Sequence, residues 1–346
     1  FMYLQNYYMQ NTPLGYDKDE IIITNMNNNI RKSRDAFASQ VKSFSGIEEV
    51  TYAEMLLSSQ DQYMGWGRKY RDKDIQFQCL PVEPSFLKVM NVKISEGRDF
   101  REEDKAKRYG TFVFNERART EYGLEIGSLI DSMEIVGFMP DVKFASFRTE
   151  VTPMAFFVWG TNNWGNQPNY AYIKVKAGSD LRGAMQHVKT TLQSFDPEYP
   201  FNVRFFDEVF NGLYEKERSL SSLITLFSLI AIFISVVGVF GLVVFDSEYR
   251  KKEIGIRKVL GSTTEEIIVM FNKTYIRILC VCFVLGAPIA GYVVHRWLEN
   301  FAYKTPMYWW VYLIAFAIIA VITILTVTFQ NWRAANENPV HSIKNE

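Results

Sequence analysis

The residues from which a reaction centre could be built are His187, His295 and His341, Cys79, Cys280 and Cys282, and the acidic side chains of the first two thirds of the chain. Metal-assisted chemistry needs histidines at helical spacing or paired thiolates, because the ligands must converge on one ion. Here the histidines are scattered, neither His-Glu-x-x-His nor Cys-x-x-Cys occurs, and two of the cysteines sit in an apolar run. All three thiols read as small buried hydrophobes. A phosphate-cradling loop needs Gly-x-x-x-x-Gly-Lys before Ser or Thr, so that backbone N–H groups and a lysine meet the phosphates. Residues 255–261 come nearest, but Ser262 follows Gly261 with no lysine between them. No Gly-x-Ser-x-Gly elbow is present, and nothing in the sequence pairs two carboxylates for proton transfer. The chain reads as no enzyme, with no catalytic, cofactor-binding or metal-binding residue to assign.

What remains is recognition. Residues 248–260 interleave Glu248, Arg250, Glu253, Arg257 and Lys258 with Ile254 and Leu260, which fall towards one side of a short helix. Gly261 is placed to end that helix as a C′ glycine. Ser262 with Glu265, or Thr263 with Glu266, fits a capping box for the next helix, which continues through Ile267, Ile268 and Phe271. A basic segment lying on anionic headgroups is the plainer reading. The alternating acidic residues weaken lipid attraction and suit a protein partner. Arg98 and Asp99 read as an exposed turn with a local ion pair, and Trp66, Trp159 and Trp164 as core before groove.

The chain has 346 residues with 38 Lys+Arg against 38 Asp+Glu. That balance excludes the basic excess of a nucleic-acid binder. A mean hydropathy of −0.07 hides a division, since most charge precedes Ser219 and the longest apolar runs follow it. Residues 221–245, 278–294 and 309–329 carry no charged side chain and read as three membrane spans. Gly286, Pro288 and Gly291 are tolerated in the second because neighbouring helices re-satisfy the backbone. Trp309, Trp310 and Trp332 suit interfacial belts. Basic residues crowd the first connection (Arg250, Lys251, Lys252, Arg257, Lys258, Lys273), while the second has only Arg296 and Lys304. The first loop, 246–277, and the tail, 330–346, are therefore expected in the cytoplasm, and residues before about 219 outside it. Ser228, Ala231, Ser235 and Gly238 fall on one face of the first span as a helix-packing seam.

The polar half is expected to be α+β: β-α-β units over 17–75 and 159–210 forming a split, ferredoxin-like sheet, with a β-rich insert over 76–158. In the first unit a helix is expected over 29–44 with Ile30, Phe37, Val41 and Phe44 inward. In the second, Ser179-Asp180 caps a helix and 201–206 form a strand. Gly97 and Gly137 are expected at turns or bulges. An all-α membrane domain of three helices, 216–346, completes the chain.

Several motifs carry a family resemblance. Lys252-Glu253-Ile254-Gly255-Ile256-Arg257-Lys258-Val259-Leu260-Gly261-Ser262 resembles the signature after the second membrane helix of MacB/FtsX-type ABC transporter permeases. The ending Asn338-Pro339-Val340-His341-Ser342-Ile343-Lys344 is similar to that family's, as are Asp17-Lys18-Asp19, Glu96-Gly97-Arg98-Asp99-Phe100, Ile135-Val136-Gly137 and Phe206-Asp207-Glu208 to its outer domain. The resemblance implies four spans per repeat, so a further span is expected before Phe1, with residues 1–16 its outer extension. It implies a bacterial inner-membrane permease with no cofactor of its own, ATP being bound by an ABC ATPase subunit. A second copy or second repeat, a periplasmic membrane-fusion protein and membrane lipid are the other implied partners. Residues 248–260 become the coupling helix, and export or outer-side extrusion of a peptide, antibiotic or lipoprotein the implied activity. The alternative it implies is an FtsX-like regulatory subunit that activates a partner such as a cell-wall hydrolase.

Overall fold

The computed structural model describes residues 1–60, 62–250, 253, 255–257 and 260–335. Ile254 and Lys258, and the motif at 338–344, lie outside the described residues. The chain divides into two compact units, one of residues 9–216 with 301–303, the other of residues 1–8, 217–300 and those from 304 on.

Helix α1 (Met2–Asn11) opens the chain, followed by β1 (Ile21–Asn25), α2 (Asn28–Lys32), α3 (Arg34–Val41) and β2 (Ile47–Ala53). A middle group comprises β3 (Gly65–Tyr70), β4 (Lys73–Val82), α4 (Phe86–Val89), β5 (Glu96–Gly97), β6 (Thr111–Asn115), α5 (Glu116–Tyr122), β7 (Leu129–Ile130), β8 (Met133–Met139) and β9 (Met154–Val158). Then come β10 (Tyr170–Val175), α6 (Leu181–Phe195), β11 (Arg204–Phe205) and α7 (Phe206–Gly212). Three long helices end the described chain: α8 (Glu215–Tyr249), α9 (Thr264–Leu298) and α10 (Trp309–Ala335).

The strands make one mixed sheet in the order β11-β1-β10-β2-β4-β9-β6-β8-β5, with β3 beside β4 and β7 beside β8. Its first four strands interleave the two β-α-β units. Ile22 of β1 lies opposite Ile173 of β10 on one side and Phe205 of β11 on the other. Helices α3 and α6 cover this part through Phe37, Val41, Val188 and Leu192, packed on Ile22 and Ile173. This is the split, ferredoxin-like arrangement. The middle group extends the sheet around Phe77, Phe112, Phe114, Ile135 and Phe157. Every residue of β6 and β9 is buried, so neither strand alternates an inner with an outer face.

Two boundaries differ from the sequence reading. The expected helix over 29–44 is two helices, because Ser33 leaves helical geometry (φ −117°, ψ 30°) while its N–H caps Asn29 and Ile30. The periodicity survives the break: Ile30, Phe37 and Val41 are buried and Phe44 packs beside them. The strand over 201–206 shrinks to Arg204–Phe205, since Phe206 starts α7 and fills the core against Tyr16 and Tyr172. Asp180 caps α6 by accepting from Arg182 N (3.1 Å) and Gly183 N (3.0 Å).

Three helices are long and apolar enough to cross a membrane: 215–246, 264–298 and 309–332. They overrun the charge-free runs because helix geometry continues past the apolar stretch. At about 1.5 Å per residue, the 35 residues of α8 span roughly 52 Å. Val243, Ile267, Phe271 and Val327 form a small core where the three helices meet. Cys280 and Cys282 are exposed on α9, a correction to their reading as buried, because their positions face away from the neighbouring helices; Cys79 is fully buried.

Candidate partner-contact and helix-packing sites

The charged segment starts inside α8, not after it. Glu248 belongs to the last turn of α8, and Arg250 follows it. Arg250 Nε donates to Asp246 Oδ1 at 2.9 Å, and its guanidinium lies 5.8 Å from the Phe271 ring centroid. Glu253 and Arg257 pair along one helical turn, with Nη2 at 2.8 Å and Nε at 3.1 Å from Oε1. Half-exposed pairs of this spacing contribute only about 0.3–0.5 kcal/mol. They do little for the fold and leave both charges able to meet a partner.

The apolar members of the segment point the same way. Tyr249, Ile256 and Leu260 are 81%, 57% and 80% exposed. Gly261 has a φ of 96°, and Ser262 N donates to Arg257 O at 2.9 Å, so the glycine stops the helical turn as its left-handed conformation requires. Of the two capping boxes open to the sequence, the structure uses Thr263 with Glu266.

Ser228, Ala231 and Ser235 share a groove of about 470 Å³ with Leu279 of α9 and Thr323 and Thr326 of α10. Gly238 lies outside that lining. Two of its hydroxyls are turned back on their own helices, Ser235 to Ala231 O and Thr326 to Ile322 O, each at 2.8 Å. The rest of the groove wall is largely apolar, with Ile232, Val236, Val239, Leu279, Ile319 and Ile322.

In the N-terminal domain, the Glu96–Phe100 motif serves architecture. Arg98 pairs with Asp104, not with Asp99: Nη1 and Nη2 reach Oδ2 and Oδ1 at 2.7 and 2.9 Å, and Asp104 is 1% exposed. A buried carboxylate needs that fork, and the forked pair is the stronger arrangement. It holds Asp104 below the usual carboxylate range despite burial, with Arg101 N also donating to it. Asp99 is different. Burial, opposed by the Phe100 N–H and the Arg98 charge, pushes its carboxyl up to about 6. Gly97 and Gly137 sit back to back, and a Cβ on either would strike backbone, the Val136 carbonyl in one case and the Arg98 carbonyl in the other.

The sequence reading did not find the cluster around Phe147, within the unit of residues 9–216 and 301–303. Its N–H donates to Tyr214 Oη at 2.9 Å, and its carbonyl accepts from Tyr303 N at 3.1 Å. Val151 N donates to Tyr303 Oη at 3.2 Å, and Lys143 Nζ lies 4.4 Å from the Tyr303 ring centroid. Tyr214 immediately precedes α8, and Tyr303 lies between α9 and α10. The sequence offers only Tyr214 ahead of the first apolar run and Tyr303 between the second and third. Among the described residues, no group of three His, Cys, Asp or Glu side chains could hold a metal ion.

Comparison with known proteins accounts for both halves. The MacB-like periplasmic core domain matches residues 6–191, more than half the chain, and the FtsX-like permease C-terminal domain matches residues 225–339. The chain belongs to the MacB/FtsX-type ABC transporter permeases. Among curated relatives, the macrolide export ATP-binding/permease protein MacB of Chromobacterium violaceum is 23% identical over 230 residues, covering 63% of this chain and 35% of that protein. The MacB of Escherichia coli K12 is 22% identical over 233 residues, with the same coverage. The permease thus spans about a third of the length of these relatives. The crystal structure of the periplasmic region of MacB from Actinobacillus actinomycetemcomitans covers 58% of this chain and 95% of its own, at 14% identity and a TM-score of 0.42. The protein is a membrane protein and a permease component of an ABC transporter, with a MacB-like domain ahead of FtsX-like helices.

Proposed function

We infer that this permease passes the motion of a separate cytoplasmic ABC ATPase to its N-terminal domain, which lies outside the cytoplasm. The observation that carries the reading is the continuity of α8, one helix from Glu215 to Tyr249. It begins directly after Tyr214, whose hydroxyl holds the Phe147 N–H, and it ends at the charged segment. An unbroken helix carries an axial or tilting displacement along its length without absorbing it at a hinge. The coupling contact is read at Glu248, Arg250, Glu253, Arg257 and Leu260, with Ile254 and Lys258 assigned by sequence alone. Basic residues in the first connection support a cytoplasmic placement of that loop and the C-terminus.

The runs 221–245, 278–294 and 309–329 carry no charged side chain, which favours mechanical transmission over passage of a charged substrate through the helices. The curated relatives are described as macrolide exporters. The cargo class carried over is a peptide, antibiotic or lipoprotein extruded on the outer side. The permease itself hydrolyses no nucleotide in this reading.

The test reverses charge at the contact. Glu253→Arg with Arg257→Glu keeps the turn-to-turn pair but inverts what a partner meets, so several weak contacts fail together. The expected result is loss of co-purification with the ATPase and of permease-dependent ATP turnover, with expression and melting temperature unchanged. Normal binding and turnover in a folded variant would remove the segment from the coupling path.

A further inference from the structure

A cleft of two contiguous lobes opens beside the β3–β4 hairpin. The smaller, about 240 Å³, is walled by residues 142–146 and 149–152, and the larger, about 580 Å³, lies over the hairpin itself. Gln62, Tyr63, Gln78 and Thr152 line both. Strand register makes the floor of the larger lobe: Gly65 stands opposite Gln78 and Gly67 opposite Gln76, so the four positions share one face. A Cβ on either glycine would meet no atom within 4 Å, so neither packing nor a close approach requires glycine there. Glycine inside a strand costs about 0.5–1 kcal/mol relative to alanine. What two of them leave is a flat shelf of peptide backbone, backed on the opposite face by Trp66 and Phe77 in the core. Tyr122 stands at the rim and donates its hydroxyl to Gln76 O at 2.6 Å.

The larger lobe has one chemistry, whereas Lys143 and Glu150 line the smaller. Among its described residues the larger lobe has amides, hydroxyls, glycines and aromatic rings but no charged side chain, although 22% of the chain is charged. Gln78 is fixed, its Nε2 donating to Thr152 Oγ1 at 2.7 Å and its Oε1 accepting from Tyr63 N at 2.8 Å. The amides of Gln62 and Gln76 have no hydrogen bond among the described residues. Each offers an acceptor and two donors to whatever enters. An ion entering would lose hydration and find no countercharge in the lobe. A flat ring bearing hydroxyls finds a shelf for its apolar face and amides for its edge.

We propose that the larger lobe of this cleft binds a neutral oligosaccharide. The inference concerns the N-terminal domain alone, so its failure leaves the ATP-coupling reading untouched. The test is calorimetric titration of the whole chain, in lipid nanodiscs free of glycoside detergent, with triacetylchitotriose and with maltotriose. At least one of them is expected to bind saturably with a Kd below about 10 mM. Gly67→Val, which fills the shelf from an unobstructed position, is expected to weaken that binding by about tenfold or more at an unchanged melting temperature. Should that variant fail to fold, Gln62→Ala with Gln76→Ala, both replacing side chains that make no internal bond, is expected to give the same loss. The proposal is overturned if neither sugar binds, if binding survives these substitutions, or if a charged or an uncharged tetrapeptide binds as tightly as the sugars.

Discussion

At the residue scale, the Glu96–Phe100 motif works by shape and by one buried charge. Gly97 has a φ of 80°, and a side chain there would also meet the Val136 carbonyl; Gly137 faces the Arg98 carbonyl just as closely. Alanine at either position is expected to destabilise the N-terminal domain by more than about 1 kcal/mol, read as a drop in melting temperature. Asp99 gives a second prediction, with a definite sign. Its folded carboxyl titrates near 6 against an ordinary value of 3.8, so the folded state holds the proton more tightly than the unfolded one. Its contribution is present at low pH and is lost as pH rises from about 4 to about 6. Asp99→Asn keeps an acceptor for the Phe100 N–H and removes the charge. The variant is expected to gain on the order of 1 kcal/mol over the parent at pH 7, after allowing for solvent screening, and nothing at pH 3.5. Denaturant titrations at the two pH values check it, and an equal difference at both would contradict it. None of this pairing was legible beforehand, because Asp104 is adjacent to Arg98 only once the turn has closed. The glycines were legible as bulge positions, since few other reasons place glycine among strand residues.

At the element scale, the strands and helices of both β-α-β units could be read from period and caps. Ile22, Phe37, Val41, Val188 and Leu192 keep their spacing into the core they share. The miss at 201–206 has a physical cause: Phe205 and Phe206 are both apolar, but one faces the α6 side and the other begins a helix. Alternation alone cannot separate a strand end from a helix start. The membrane helices were legible as apolar runs, whereas the extension of α8 through Glu248 and Tyr249 was not, because charged residues continue a helix without an apolar signal. That continuity is what the coupling reading needs. Two glycines inserted after Leu220 would add freedom to α8 at a stability cost of about 1 kcal/mol each. The expected outcome is an intact contact with the ATPase and continued hydrolysis, with transport lost. Unchanged transport in the inserted variant would show that α8 does not carry the motion.

At the scale of the whole molecule, the proposed coupling runs from the charged segment through one continuous helix to the N-terminal domain. The sequence showed this organisation through the drop in charge at Ser219 and through the motif at 252–262, while Phe147 and its two tyrosines emerged only in the fold. The most direct measurement is hydrogen exchange of the permease with its ATPase in nanodiscs, nucleotide-free and trapped with ATP and vanadate. The account predicts that trapping changes protection at residues 142–152 and at the first turns of α8, and that Glu253→Arg with Arg257→Glu abolishes the change. Identical exchange in both states, with the ATPase bound and turning over, would contradict it.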